Sequence, residues 1–256
     1  MKTIVIAVFF LLAGSTVGSS GRGDKSQVDF VCHGTSDASC AVALSENMFV
    51  VADDENNILR IYQTINNSGP VCSYDLTGFL EVGSEYPEAD LEGATLVGNR
   101  IYWITSHGRN KDGKMRPNRY RFFATSVKFE NQEVTIKPVG TPCRTLVHEL
   151  IQTKSMGKLG LNDATQFNVK LKKQQRKRLA PKNEGLNIEA LCASHDGKAM
   201  YIGFRNPRPR NEPASVPQAL VVPLNNYRQV IENKQPAVFG EPMNRDLAGL
   251  GKRSIE

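Results

Sequence analysis

Beyond its N-terminal segment the chain holds no apolar run approaching the ~18 residues that a membrane-spanning helix needs. It has no Cys-x-x-Cys pair, which leaves zinc-ribbon and thioredoxin-type chemistry without support. No Gly-x-Ser-x-Gly elbow occurs, and the one adjacent pair, Ser106 and His107, would point to opposite faces of a strand, so a serine hydrolase is not expected. Two of the four histidines read as structural: His195 as a turn residue and His148 as a polar helix position. No ordered calcium-loop spacing is present either.

The N-terminus carries Lys2, an apolar run from Thr3 to Ala13, then small residues from Gly14 to Ser20. That order is the signature of a secretory leader, over residues 1–19, with cleavage expected near Gly18 or Ser19. No cysteine follows the apolar run, which argues against a lipoprotein anchor. The mature protein is therefore expected to be exported, periplasmic or extracellular. Residues 20–35 read as a linker and 36–256 as the domain proper. Export makes the five cysteines, Cys32, Cys40, Cys72, Cys143 and Cys192, disulfide candidates, and their odd number leaves at least one thiol over. Much of the formal charge of +6 sits between Lys170 and Arg178. For an exported chain this run reads as a solvated helix or loop rather than a nucleic-acid surface.

The sequence repeats. Ala89-Asp90-Leu91-Glu92 and Leu186-Asn187-Ile188-Glu189 open similar units, and Arg253-Ser254-Ile255-Glu256 matches the start of another. Each of the two internal copies precedes an apolar strand, a tight turn and a second apolar strand. Three hairpins follow: Ser39 to Leu44 with Met48 to Ala52, Leu91 to Val97 with Ile101 to Ile104, and Ile188 to Ala193 with Ala199 to Ile202. The turns carry Asn, Asp or Gly, which tolerate the positive φ that tight hairpins need. Two more strand-like segments come after each hairpin: Ile58 to Thr64 and Val71 to Asp75, Arg121 to Val127 and Glu133 to Pro138, Ala219 to Pro223 and Ala237 to Glu241. Four short strands per unit predict an all-β, propeller-like repeat of four-stranded blades. The spacings from Glu92 to Glu189 and on to Glu256 exceed a minimal blade of ~40–50 residues, and the excess falls in loops, including an expected helix from Arg144 to Thr153. Three blades and the start of another are fewer than the usual minimum of about four, so the domain is expected to be incomplete at its C-terminus.

In an antiparallel hairpin the start of one strand lies beside the end of the next. Glu92 is thus expected near Ser106 to Arg109, Glu189 near Phe204 to Asn206, and Asp37 near Asp53, Asp54 and Glu55. If these are inner strands, all three clusters meet at one rim of the channel, a common ligand position.

At these residues the chain resembles a family of exported bacterial proteins known as a domain of unknown function. The resemblance rests on Val51 to Arg60 (VADDENNILR), Ser106 to Lys114 (SHGRNKDGK) and Gly203 to Pro207 (GFRNP), and covers nearly everything after residue 35. Members usually continue past the point where this chain stops, which implies truncation. A second similarity links Asn183 to Leu191 with propellers called the esterase-like domain of phytase and implies a β-propeller with ester hydrolysis. Asn187 and Ala190 depart from that pattern, which is more acidic or glycine-rich there.

Two chemistries are open at the rim. Asp53, Asp54 and Glu55, joined by Glu92 and Glu189, could supply oxygens to a divalent cation such as calcium, or Asp53 and Asp54 could cap a turn while the glutamates accept hydrogen bonds. His107, Arg109, Lys111 and Arg205 could hold an anion, arginine offering a planar fork for phosphate or carboxylate. Alternatively Arg109 pairs with Glu92 and Arg205 with Glu189 as internal clamps. The expected function is a propeller-type ligand-binding domain whose partner is a small anionic ligand or a protein. Metal-assisted phosphoester or ester hydrolysis and a non-catalytic interaction scaffold are the alternatives. Tyr102 and Trp103 are expected to alternate between packing and rim.

Overall fold

A computed structural model describes residues 4–6, 30–65, 69–130, 133–210, 212 and 215–248. The expected leader cleavage point and the last repeat start at residues 253–256 lie outside the described residues.

Strands β1 (Ile4–Ile6) and β2 (Phe30–Cys32) pair with each other. The remaining strands form three antiparallel four-stranded meanders. The first blade is β3 (Ala38–Ser45), β4 (Met48–Asp53), β5 (Ile58–Gln63) and β6 (Cys72–Asp75). The second is β7 (Leu91–Val97), β8 (Arg100–Thr105), β9 (Phe122–Glu130) and β10 (Glu133–Cys143). The third is β11 (Asn187–Ala193), β12 (Met200–Asn206), β13 (Ala219–Leu224) and β14 (Met243–Arg245). Within each blade strands pair in sequence order, as short connections dictate. Helix α1 (Thr77–Leu80) leads from the first blade to the second. Helices α2 (Leu146–Gln152), α3 (Leu161–Thr165) and α4 (Lys173–Arg178) occupy the long connection to the third, and α5 (Tyr227–Glu232) sits between β13 and β14. Helix α2 lies within the segment expected to be helical and turns Leu146, Val147 and Leu150 into the core. The basic run is exposed on α4. Among the described residues no helix is long and apolar enough to cross a membrane.

The blades stack through their faces. Val50, Ala52, Leu59 and Ile61 of the first meet Ile101, Trp103 and Phe123 of the second. On the other face of the second blade, Tyr102, Ile104 and Phe122 meet Ile188, Ile202 and Phe204 of the third. Strand β8 is therefore buried on both sides, which is why it reads as a continuous apolar run rather than an alternating one. Tyr102 and Trp103 both pack fully, against opposite neighbours, and neither reaches the rim. The Trp103 indole N–H donates to Thr125 Oγ1 at 2.9 Å, so this polar atom is satisfied in a fully buried interface. Burial of each such side chain is worth about 1.5–3 kcal/mol.

Strand β7 lies between β3 and β11, so the first strand of each blade is the inner one. Gly93 marks the closest approach. A Cβ there would sit 2.8 Å from the backbone nitrogen of Leu191, so only glycine lets β11 close on β7. Ile188 N also donates to Ser106 O at 2.9 Å, which ties the third blade to the strand end of the second.

The last strand of the third blade differs from expectation. Residues 237–241 form only an isolated bridge, Leu224 to Phe239, and β14 falls at Met243–Arg245. Pro223 has no N–H to continue a ladder opposite that segment. The cysteines differ too: Cys40, Cys72, Cys143 and Cys192 are unbonded thiols, and the side chain of Cys32 lies outside the described residues.

Candidate functional site

All three inner strands carry a β-bulge near their start. The register skips between Ala38 and Cys40, between Leu91 and Gly93, and between Ile188 and Ala190. The extra residues are Ser39, Glu92 and Glu189. A bulge releases its residue from the face-to-face alternation and re-aims the side chain. Here all three line one cavity of about 610 Å³. The repeat thus does more than build blades: it delivers one bulged side chain per blade to the same place. Two residues before each bulged residue stand Asp37, Asp90 and Asn187, the first two just ahead of their strands and the third at the first residue of β11.

Three carboxylates come together in this cavity. Ligand oxygens of Asp54, Asp90 and Glu92 lie within 4.8 Å of one another. Asp54 leaves the end of β4 on the first blade, and its backbone N donates to Asp37 O at 3.1 Å. Asp90 and Glu92 come from the second blade. Asp90 adopts a left-handed backbone (φ 63°), a region that aspartate tolerates better than most residues, and its carbonyl accepts from Ser106 N at 2.9 Å. One cation answers the cluster directly: Arg119 Nη1 donates to Asp90 Oδ2 at 2.8 Å, and the same guanidinium pairs with Glu88. Asp54 and Glu92 form no salt bridge among the described residues, and Asp54 Oδ1 is buried with no hydrogen-bond donor.

The charges respond to that crowding. Burial, reinforced by Asp90, Glu189 and Asp54, pushes the Glu92 carboxyl up to about 9. Burial, then Asp90 and Asp37, pushes Asp54 up to about 7. Without a counter-ion these groups hold protons at a pH where exposed carboxylates are ionised.

Basic side chains line the same cavity: Lys111, Lys182 and Arg205. Arg205 Nη1 donates to Glu189 Oε1 at 2.8 Å, the clamp anticipated for the third blade. Asn187 lines the cavity too. Its Nδ2 donates to Glu189 Oε1 at 2.8 Å, which fixes the amide orientation and leaves Oδ1 buried without a partner in the cavity lining.

Other residues singled out from sequence lie elsewhere. Asp53 is buried and turned toward the N-terminal segment: its Oδ2 accepts from Thr35 Oγ1 at 2.7 Å and from Ser36 N at 2.9 Å. Burial alone would raise this carboxyl, but the bonds from Thr35, Ser36 and Glu55 outweigh it and hold the group below the usual range. Glu55 is exposed and meets Ser36 Oγ. Arg109 does not reach Glu92. It is buried and donates to the carbonyls of Gly113, Thr165 and Gln166, which fastens its loop to α3. His107 has a left-handed backbone (φ 51°) and is fully buried, with Nδ1 2.8 Å from Thr105 O and its ring edge-on to Tyr120. Burial drives its imidazole down to about 4 despite the Thr105 contact. Of the residues predicted for metal or anion, Asp54, Glu92, Glu189, Lys111 and Arg205 are gathered in one cavity, and Asp53, Glu55, His107 and Arg109 are not in its lining.

Asp90, Arg119, Asn187, Ser39 and Lys182 went unnoticed as site residues. For Asp90 and Asn187 the signal was present: they occupy the same place in the two repeat copies, two residues before the shared glutamate.

Fold and site together define an all-β protein of blade-like repeats with a charged cavity where its inner strands begin. The chain belongs to the family described as "Protein of unknown function (DUF3616)", which matches residues 37–213. That span runs from the first blade past the end of β12, stopping short of β13, and includes every residue of the cavity. No curated protein matches the chain.

Proposed function

We propose that this protein is a ligand-binding domain that holds a divalent cation, calcium, between Asp54, Asp90 and Glu92. The observation that carries the reading is the convergence of three carboxylates from two blades within 4.8 Å, with Arg119 on Asp90 and no salt bridge to the other two among the described residues. Like charges this close cost several kcal/mol at an effective dielectric of about 20, and a dication offsets that cost. Calcium suits the site because it takes carboxylate and neutral amide or carbonyl oxygens in irregular arrangements. Magnesium demands a stricter octahedron and sheds water reluctantly. The exported setting expected from the N-terminus fits the affinity range of extracellular calcium modules, about 10⁻⁴–10⁻³ M.

Binding is favoured over catalysis by the neighbouring side chains. Ser106 Oγ is occupied by Gly108 N at 3.1 Å, and the His107 imidazole is buried against Thr105 and Tyr120, so neither is poised as nucleophile or base.

Calorimetric titration with calcium tests the proposal. The wild-type chain is expected to bind one equivalent. Asp90→Asn, which tolerates the left-handed backbone, is expected to weaken binding at least tenfold while melting within a few degrees of wild type. Undiminished binding in both Asp90→Asn and Glu92→Gln overturns the assignment.

A further inference from the structure

We propose that Asn187 Oδ1 supplies a neutral oxygen to the cation, so that a single calcium ion joins all three blades. The inference rests on the cation reading above and adds the residue that selects the ion from the third blade. An acidic cluster alone does not make a site, and here a second observation points to a cation. Asn187 is 4% exposed, and its Oδ1 is buried without a hydrogen-bond donor in a residue that lines the same cavity. Its Nδ2 donates to Glu189 Oε1 at 2.8 Å, so turning the amide over would set two acceptors against each other. A carbonyl oxygen buried and left bare costs free energy that a cation removes.

The backbone sets Asn187 beside the carboxylates. Asn187 and Asp90 occupy equivalent places, each two residues before the bulged glutamate of its strand. Strand β11 closes on β7 at Gly93, where a Cβ would lie 2.8 Å from Leu191 N and 3.1 Å from the carbonyl carbon of Ala190. One residue bridges the two strand starts. Ser106 N donates to Asp90 O, and Ser106 O accepts from the N–H of Ile188, the residue after Asn187, both at 2.9 Å. The side chains follow the backbone: Glu189, which accepts from Asn187, is near enough to Glu92 for its charge to push that carboxyl up. On the first blade, Asp54 Oδ1 is buried and equally bare. The two bare oxygens thus belong to the first and third blades, and β7, which carries Glu92, runs between β3 and β11.

Oxygen chemistry selects the ion. Calcium takes about 6–8 oxygens and accepts amide carbonyls alongside carboxylates. Magnesium holds on to its water shell, so it would present a water rather than itself to an oxygen buried this fully. Asn187 is therefore a specificity residue, used by calcium and passed over by magnesium.

Calorimetric titration of the full chain with calcium, and separately with magnesium, tests the inference in two variants. Asn187→Leu and Asn187→Asp both lose the Nδ2 donor to Glu189, which keeps its bond from Arg205; they differ in the oxygen. Asn187→Leu is expected to bind calcium at least tenfold more weakly than wild type, with its magnesium affinity unchanged. Asn187→Asp is expected to bind calcium at least as tightly as wild type. If Asn187→Leu does not fold, Asn187→Ala takes its place with the same expectation. A smaller loss of calcium affinity in the variant without the oxygen overturns the inference and leaves the cation reading standing. Equal weakening in Asn187→Asp also overturns it, because the loss then belongs to the hydrogen bond with Glu189. An equal loss for magnesium does the same, since general damage to the cavity spares neither ion. If calcium does not bind the wild type, both readings fall.

Discussion

Replacing Glu92 by glutamine removes one charge from a cluster in which that carboxylate has no salt bridge among the described residues. Folding of the metal-free wild type at pH 7 forces Glu92 to take up a proton, because its carboxyl rises from an ordinary 4.5 to about 9. At 1.36 kcal/mol per unit, the gap between 4.5 and pH 7 costs about 3 kcal/mol. Glutamine occupies the same space and has no proton to take up, so the variant is expected to be the more stable protein without metal. For a chain of this length 1 kcal/mol moves Tm by about 2–4 °C, which makes the expected rise about 6–12 °C. Calcium reverses the order of benefit. At a hundred times its Kd it adds about 2.7 kcal/mol to the wild type and little to the variant. The assay is a thermal melt of both proteins in chelator and in calcium. A clamp predicts the opposite sign: if Glu92→Gln melts below wild type in chelator, the glutamate is held by hydrogen bonds that stabilise the fold, and the cost assigned to its charge is wrong.

The same shifts set a pH profile. Asp54 and Glu92 are both raised, so their contribution to metal-free stability is full below about pH 4 and is lost as pH rises through about 7 and about 9. Melts in chelator should therefore fall from pH 5 to pH 9, calcium should flatten the curve, and binding heats in buffers of different ionisation enthalpy should show proton release. Asp53 has the opposite sign: its lowered carboxyl stabilises above the normal aspartate range and stops doing so in acid. Asp53→Ala removes the acceptor for Thr35 and Ser36, at a cost of about 1–3 kcal/mol, and limited proteolysis should cut near residue 35 sooner. Gly93→Ala drives a Cβ against the Leu191 backbone and is expected to cost about 1–3 kcal/mol, read as a lower denaturant midpoint. Trp103→Ala empties the contact between the first two blades, and a loss of about 3–5 kcal/mol should appear in the same measurement.

The blades were legible in the sequence because their signals are local. Paired apolar runs around Asn- and Gly-containing turns locate β3 to β13 closely, since turn chemistry and strand periodicity both act over a few residues. The fourth strand of the third blade was not, because Pro223 and α5 decide where the chain can rejoin the sheet. The site was half legible. Hairpin geometry brings Glu92, Glu189 and Asp54 to one rim, but adjacency misled at Asp53 to Glu55, where the three acids turn in different directions. The bulges that aim Ser39, Glu92 and Glu189 into the cavity insert a residue that no alternation pattern marks. The left-handed backbones of Asp90 and His107 redirect the chain beside the rim, so Arg119 rather than Arg109 meets an acid of the second blade.

Anomalous scattering from crystals grown with calcium tests the cation site most directly. The account predicts one calcium peak within about 2.3–2.6 Å of oxygens from Asp54, Asp90 and Glu92. A calcium bound elsewhere, with these three carboxylates protonated or turned apart, would contradict it.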